Sequence, residues 1–345
     1  MISERYSNID QLRFIAAFSV AITHLIISRN GYNLNLEIIS SISVEVFFVI
    51  SGFVLAPQIL KVFESKKFYT YKIFLIRRWY RTIPLYILSL VLTSLILNRF
   101  LTFDFFKYLF FIQNFLKISV VNDYFSISWS LAVEEWFYIL FPLFLLIFAT
   151  FFKNTKNKVL NISILFIFII FLIRIIFAEY SEWGSNIRRV VLYRLDSIAY
   201  GFILFFFKDK IKKIKFNKIL AIMIFSLSTI SVFKILEYNA IDDNYLYKVL
   251  FHFMVAIWGA TVVLIFYIFD KEIKNKKYIK INLFLGKISY SIYLFHLLII
   301  YMVSSINLSL IYIIFIFFVI QISISTLLYF YFEEPILKSR PHYND

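Results

Sequence analysis

The chain of 345 residues has no cysteine and only four histidines, six glycines and five prolines. The absence of cysteine excludes disulfide bonds, thiolate metal ligands and an acyl-cysteine intermediate. So few histidines make a histidine-rich metal cage unexpected, and the sequence predicts no metal site. Long polar segments are missing as well. No soluble domain can be delimited, and the chain is expected to form a single membrane domain over residues 1–345.

What the chain does contain is apolar surface. It is 61% hydrophobic, with 44 Phe and 24 Tyr, and its mean hydropathy is +0.80. A soluble protein of this length needs more polar surface than this composition supplies. Repeated apolar runs of about 20 residues predict an all-α, polytopic membrane helical bundle, whereas transmembrane strands would show short alternating segments.

About ten transmembrane helices are predicted. Their approximate bounds are 10–28, 38–60, 82–98, 133–152, 159–178, 190–207, 219–236, 249–269, 287–304 and 308–332. A further apolar run, residues 103–116, is shorter and carries Asp104, Lys107, Gln113 and Asn114. It is therefore expected to be a re-entrant or interfacial segment rather than a span.

The formal net charge of +15 would suit a nucleic-acid-binding protein, but its distribution favours a membrane protein. With the N-terminus placed in the cytoplasm, the cytoplasmic segments hold 24 Lys and Arg and the outer segments hold 7. This asymmetry is the positive-inside bias, and it predicts that both termini are cytoplasmic. We expect contacts with membrane lipids and no nucleic-acid partner.

The first apolar run, residues 9–25, carries polar side chains that are costly within a membrane. Arg13 and His24 are eleven residues apart, which places them about three helical turns apart and within roughly 20° of one face. Asp10 falls near the same stripe and is expected to pair with an arginine. This helix would present an acid and a guanidinium at one end and an imidazole deep inside, although a cleaved signal peptide is a competing interpretation.

The second and fourth predicted spans also carry polar groups. Glu45 lies near the outer end of the second span, either in an internal polar site or reaching the interface. Ser51 and Gly52 form a small pair that suits close helix packing or, for the serine, a polar site. Glu134 and Glu135 point about 100° apart on a helix, so at least one should face the interior. Aromatic residues beside these acids also suit a sugar.

Arginines cluster at the cytoplasmic entry to the third span. Arg78 and Arg81 are i,i+3 neighbours on one helical face, and Arg77 precedes them. The cluster is either a positive-inside anchor or a phosphate clamp, because a planar guanidinium matches phosphate oxygens. Pro84 is expected at an early helical position.

Further candidate polar residues lie in the fifth, sixth and ninth predicted spans. Arg194 and Asp196 in the sixth span, and Arg174 in the fifth, are interpreted as a buried ion-pair system or as part of a site. Tyr293 and His296 share a face of the ninth span at i,i+3. His252 and His342 receive no role.

The last predicted span ends in two adjacent acids and a proline. Glu333 and Glu334 are expected at the cytoplasmic border, where they could pair with the arginine cluster. Pro335 is expected to end the helix.

Together these motifs resemble those of the acyltransferase-3 family of bacterial integral-membrane carbohydrate O-acyltransferases. The matching features cover essentially the whole chain in family order: Arg13 with His24, FFVISGF at 47–53, Arg78 with Arg81, WSLAVEEWFY at 129–138, RLDSIAYG at 194–201, GKISYSIYLFH at 286–296, and Glu333 with Pro335. Trp136 departs from the usual Gln, and Glu334 stands where a basic residue is common. The family often carries a fused periplasmic esterase-like domain, which is not expected here.

The resemblance implies an enzyme of about ten core spans in the bacterial inner membrane. It would transfer an acyl group, usually acetyl from cytoplasmic acetyl-CoA, to a hydroxyl of a cell-surface glycan or its lipid-linked precursor. No permanently bound cofactor is expected. The competing hypothesis is a transporter or flippase of a polar lipid or glycan, because polar residues would line a path through the bundle.

The resemblance also implies roles for the residues named above. His24 would be the general base or a transient acyl carrier. His296 would have a secondary role. The arginines expected to bind donor phosphates or orient the thioester are Arg13, Arg77, Arg78 and Arg81. The acids expected to bind the sugar or adjust its protons are Glu134, Glu135 and Asp196.

Overall fold

The computed structural model is an all-helical bundle, and every regular element among the described residues is a helix. The structure describes residues 6–120, 123–152, 157–214, 217–237, 241, 244–270, 275–341 and 343. Both chain ends and parts of the predicted loops, including most of the acidic segment EYNAIDDNY, lie outside these residues.

The chain forms twelve α-helices in the described ranges. Their bounds are α1 Ser7–Asn30, α2 Leu34–Ser65, α3 Phe68–Ile96, α4 Phe103–Leu109, α5 Ser128–Phe148, α6 Lys158–Ala178, α7 Leu195–Lys212, α8 Asn217–Glu237, α9 Tyr245–Asp270, α10 Lys276–Ser304, α11 Leu310–Leu328 and α12 Glu334–Lys338. A π-helical turn at Tyr329–Glu333 joins α11 to α12, and short π and 3₁₀ turns at Trp183–Ile187 and Val191–Tyr193 lie between α6 and α7.

Eight helices within the described ranges are long and apolar enough to cross a membrane: α1, α2, α3, α5, α6, α9, α10 and the continuous stretch Leu310–Lys338. The other two predicted spans, 190–207 and 219–236, coincide with α7 and α8. The second half of α7 carries several charged residues, and some side chains at the ends of α8 lie outside the described residues. The chain is thus a multi-pass membrane protein, and the count of ten stays a prediction.

Two prolines do not mark helix ends as expected. Pro84 lies in the interior of α3, because the helix begins at Phe68 and includes the whole arginine cluster. Pro335 does not end the last helix but lies at the start of α12, where a missing N–H is tolerated. Interior prolines are acceptable in membrane helices because neighbouring groups satisfy the freed backbone atoms.

Two close helix crossings position the polar residues. A Cβ at Gly52 of α2 would lie 1.9 Å from the Ile198 carbonyl oxygen, and one at Gly201 of α7 would lie 1.9 Å from that of Val49. A Cβ at Gly286 of α10 would lie 2.4 Å from Cβ of Asp10. Since no larger side chain fits at either crossing, glycine brings α2 against α7 and α1 against α10.

Helix α1 runs alongside α10 in the same direction. Near one end Tyr278 donates a hydrogen bond to Gln11 (2.9 Å), and near the other end Arg29 donates to the carbonyl of Ser304 (2.9 Å). This register carries the polar stripe of α1 along the polar face of α10. His24 thereby meets His296.

Candidate active site

A cavity of about 750 Å³, including its open mouth, lies between α1, α2, α3, α5 and α10. Six of the residues singled out in the sequence line it: Arg13, Ser51, Arg78, Arg81, Glu134 and Tyr293. Apolar and hydroxyl-bearing side chains supply the rest of the wall, among them Phe47, Phe48, Leu55, Ser130, Tyr138, Ser289 and Tyr290.

The cavity has an excess of positive charge. Arg13 pairs with Asp10 of its own helix (3.2 Å), as expected. Arg78 donates to Gln58 (3.0 Å), and no carboxylate of the described residues lies within ion-pair distance of Arg78 or Arg81. Arginines that line a cavity and form no ion pair can bind an anion, because a guanidinium offers several N–H donors in one plane.

Of the two adjacent acids on α5, only Glu134 lines the cavity. Its carboxylate accepts hydrogen bonds from Ser51 (2.8 Å) and Tyr138 (2.9 Å), which hold it against α2. Glu135 is also buried, but it turns toward α3 and accepts a hydrogen bond from Thr82 (2.6 Å). The two acids therefore lie in different environments, as the 100° offset between neighbouring helical positions requires.

His24 does not line the cavity. Its Nδ1 lies 2.8 Å from Nε2 of His296, and its Nε2 lies 3.2 Å from the hydroxyl of Ser40 on α2. The two imidazole rings stack with centroids 5.1 Å apart. His296 is fully buried, and its Nδ1 lies 2.7 Å from the carbonyl oxygen of Tyr293. The two histidines thus form a hydrogen-bonded pair between α1 and α10.

Tyr293 connects the histidine pair to the cavity. Its backbone carbonyl contacts His296, while its ring lines the cavity and its hydroxyl shares a hydrogen bond with Ser130 of α5 (2.6 Å). The cavity wall includes Tyr293 but neither histidine. Tyr293 therefore lies between the cavity and the histidine pair.

A second set of charges lies one helical turn from Ser40, at the start of α2. Glu37 pairs with Arg188 and also with Arg189 (3.7 Å), and Arg189 pairs with Asp123 (2.8 Å). Burial and the adjacent Arg189 lower the pKa of Arg188 to about 10, so this residue remains charged at neutral pH. This set joins three segments that the sequence places on the outer side.

The remaining intramembrane charges form a separate, enclosed cluster. Arg174 donates to both carboxylate oxygens of Asp196 (2.6 and 2.7 Å), and Arg194 pairs with Glu45. All four side chains are at most 1% exposed, as is His252, which lies 3.4 Å from Arg194. Asp196 and Glu45 therefore do not reach the cavity, and the geometry favours the buried-ion-pair interpretation for this cluster.

Two further candidate residues, Arg77 and Glu333, are absent from the cavity wall. Arg77 donates to the carbonyl of Pro341 and lies over the ring of Tyr343 (5.0 Å), outside the cavity wall. Glu333 accepts a hydrogen bond from Ser291. Neither Glu333 nor Glu334 forms an ion pair with the arginine cluster in the described residues, and Glu334 instead pairs with Lys338 (3.7 Å).

Sequence reasoning missed the partners that lie around His24. Ser40 lies among several serines of α2, and nothing in its spacing distinguishes it. Arg188 and Arg189 carried a usable signal, because adjacent arginines are unusual in outer segments that hold only 7 basic residues. His252 received no role, yet it joins the enclosed ion-pair cluster.

The fold and site define a class: a multi-pass membrane protein with a cationic cavity near a hydrogen-bonded histidine pair. A family model described as an acyltransferase domain matches residues 6–330, and the chain belongs to this acyltransferase-3 family.

Named relatives agree with this assignment. The chain is 29% identical to O-acetyltransferase OatA of Staphylococcus aureus strain NCTC 8325, over 88% of this chain and 52% of that protein. It is also 29% identical to a protein of strain COL that is named a putative O-acetyltransferase, over 96% and 57% of the two chains. The chain thus spans about half the length of these relatives. No solved structure matches it.

Proposed function

We propose that this chain is an O-acetyltransferase of the bacterial inner membrane. It moves an acetyl group from cytoplasmic acetyl-CoA to a hydroxyl of a cell-surface glycan or of its lipid-linked precursor. The observation that carries the proposal is the cavity in which Arg78 and Arg81 form no ion pair with any carboxylate that the structure describes. Acetyl-CoA is an anion whose phosphates suit such a cavity, and the family and its named relatives indicate acyl transfer.

The donor would bind between α1, α3 and α5. Arg13, Arg78 and Arg81 would hold phosphate oxygens or orient the thioester carbonyl, because each guanidinium offers several N–H donors in a fixed plane. Phe47 and Phe48 supply apolar wall for the uncharged part of the donor. Glu134 lines the same cavity, where its carboxylate would help to position the arginines.

The acceptor would approach His24 from the side of Ser40. The hydroxyl of Ser40, 3.2 Å from His24 Nε2, occupies the place that an acceptor hydroxyl would take beside a general base. The pairs made by Glu37, Arg188 and Arg189 lie one turn further along α2 and offer polar contacts for a sugar. Donor and acceptor would therefore meet at Tyr293, which lies between the cavity and the histidine pair.

Mass spectrometry of surface glycans tests the function. A strain that lacks the gene should lose acetyl groups from one glycan. The wild-type gene should restore them, and His24→Ala should not restore them although the protein is present in the membrane. Full acetylation with His24→Ala would contradict the proposed site. An unchanged glycan profile in the deletion strain, together with vesicle uptake of a lipid or glycan that needs no acetyl-CoA, would favour a transporter.

The donor half can be tested with purified protein. Incubation with acetyl-CoA should release CoA thiol slowly even with water as the acceptor, and a thiol reagent can follow the release. Because the chain has no cysteine, the protein itself adds no thiol signal. Absence of thiol release from both acetyl-CoA alone and acetyl-CoA with extracted glycan would contradict the assignment of the donor.

A further inference from the structure

Three hydrogen bonds connect the side chain of Ser40 to the backbone of Tyr293 through the two histidines. The hydroxyl of Ser40 lies 3.2 Å from Nε2 of His24, and Nδ1 of the same ring lies 2.8 Å from Nε2 of His296. At the other end, Nδ1 of His296 lies 2.7 Å from the carbonyl oxygen of Tyr293. His296 is 0% exposed, so water cannot substitute for either of its partners.

The carbonyl at the end of this line sets the direction of all three hydrogen bonds. A carbonyl oxygen can only accept, so Nδ1 of His296 carries the proton. Neutral His296 then has a lone pair at Nε2, and His24 must donate to it from Nδ1. This leaves the lone pair of His24 on Nε2, where the hydroxyl of Ser40 donates to it.

The reverse direction requires an extra proton. If His24 accepted at Nδ1, His296 would have to donate from both ring nitrogens and would carry a positive charge. This charge would be fully enclosed, and the partners of the ring are a neutral imidazole and the backbone of Tyr293 and Ile292, none of which carries a negative charge. An unpaired charge buried in a membrane bundle is costly, so the neutral arrangement is favoured.

From this geometry we propose that His296 is a positioning residue that fixes His24 in its Nδ1–H tautomer. Nε2 of His24 is then the atom that takes the proton of the acceptor hydroxyl. The statement about proton transfer at Nε2 rests on the proposed function, whereas the statement about the tautomer does not. Which ring nitrogen reacts is set by the hydrogen bond that the other nitrogen makes, and His296 supplies that bond here.

The chemical step balances with these groups alone. The acceptor hydroxyl gives its proton to Nε2 of His24 while its oxygen forms a bond to the carbonyl carbon of the thioester. The carbon–sulfur bond then breaks, and the departing thiolate takes the proton from Nε2. The products are the acetyl ester and CoA thiol, and His24 returns to its neutral Nδ1–H form.

The tautomer can be observed without any activity. The protein has only four histidines, so ¹⁵N-histidine labelling gives a simple NMR spectrum, and His24→Gln and His296→Gln identify the two signals. In the wild type we expect a protonated Nδ1 and an unprotonated Nε2 at His24. In His296→Leu the acceptor opposite Nδ1 is gone, and the proton should move to Nε2, where the Ser40 oxygen can accept it. A wild-type His24 protonated at Nε2 would overturn the proposal.

The conservative variant separates positioning from packing. In His296→Gln the side-chain oxygen can still accept from Nδ1 of His24, so the Nδ1–H tautomer should persist. In the thiol-release assay His296→Leu should lower kcat by about 100-fold, within the range that a positioned base contributes. The KM for acetyl-CoA should be unchanged, because His296 is absent from the cavity wall. His296→Gln should retain most of the turnover.

The outcomes distinguish this inference from the proposed function. Met302→Leu, on the same helix at an exposed position, is the matched control and should leave kcat and the tautomer unchanged. Full turnover in His296→Leu, or an unchanged tautomer in that variant, would refute the positioning role. If even the wild type released no thiol from acetyl-CoA, the function would fail while the NMR result on the tautomer stood.

Discussion

Individual residues of the same type play different parts in this molecule, and their neighbours decide which. Arg13, Arg78 and Arg81 line the cavity, whereas Arg174 and Arg194 are enclosed with carboxylates. Within the first group, Arg78 and Arg81 form no ion pair with a described carboxylate and are available to bind an anion, whereas Arg13 pairs with Asp10. Arg174 and Arg194 neutralise the carboxylates with which they pair, and these ion pairs are expected to contribute to stability or to the uniqueness of the fold.

Adjacent arginines on α3 provide a matched comparison for donor binding. Arg78→Ala should raise the KM for acetyl-CoA by about 10-fold or more, because a hydrogen bond to a charged group is worth about 1.5–3 kcal/mol. Arg77→Ala should have a much smaller effect, since this side chain contacts Pro341 and Tyr343 instead of the cavity. Steady-state thiol release measures both. Equal increases in KM would contradict the assignment of the cavity to the donor.

The enclosed ion pair predicts a specific pattern of stabilities. Arg174→Met leaves Asp196 buried without its partner and should lower the free energy of unfolding by about 3–5 kcal/mol. The double variant Arg174→Met/Asp196→Leu removes both charges and should recover much of this loss. Thermal unfolding in detergent measures the difference. A double variant less stable than Arg174→Met would show that the pair itself, not the avoidance of an unpaired charge, is stabilising.

The sequence predicted several residues of the cavity but not which side chains would meet across helices. It identified Arg13 from the cost of charge in an apolar run, Arg78 and Arg81 from their spacing at a helix entry, and Glu134 as one of two adjacent acids. All four line one cavity. It did not separate Arg77 from them, because spacing along α3 does not show where the chain end lies. It could not pair His24 with His296, which are 272 positions apart, because only the α1–α10 crossing brings them together.

At the scale of helices, the apolar runs predicted the elements well and their ends poorly. Every predicted span coincides with a helix, because a run of about 20 apolar residues has few alternatives in a membrane. The start of α3 was misplaced by 14 residues, from 82 to Phe68, because the arginine-rich segment continues the helix beyond the apolar run. Helix crossings could be foreseen only at Gly52, where a small pair stood mid-span.

Gly286 tests the crossing that joins the two histidines. Gly286→Val would place atoms against Asp10, 2.4 Å from where a Cβ would stand, and should push α1 from α10. Overpacking of this kind costs about 1–3 kcal/mol, and the His24–His296 contact should weaken with it. Both the thermal midpoint and kcat should fall. Gly184→Ala, which introduces a Cβ with no atom within 4 Å, is the control and should change neither.

At the scale of the whole molecule, the relative directions of the helices agree with an alternating path through the membrane. The first and ninth predicted spans, α1 and α10, run in the same direction. So do the second and sixth, α2 and α7, because Glu45 meets Arg194 near one end and Phe53 meets Phe205 further along. In both pairs the two predicted spans have the same parity and run in the same direction, as two-sided alternation requires.

The relative directions of the helices do not show which side of the bundle faces the cytoplasm. The distribution of Lys and Arg predicts that both termini face it. The absence of cysteine makes this prediction directly testable, because a single introduced cysteine is the only thiol in the protein. Lys66→Cys, in the predicted cytoplasmic connection after α2, should be protected from a membrane-impermeant maleimide in intact cells and labelled after permeabilisation. Tyr180→Cys, at a site 85% exposed after α6, should be labelled in intact cells. The opposite pattern would place Arg78 and Arg81 on the outer side, away from cytoplasmic acetyl-CoA, and would refute the proposed donor path.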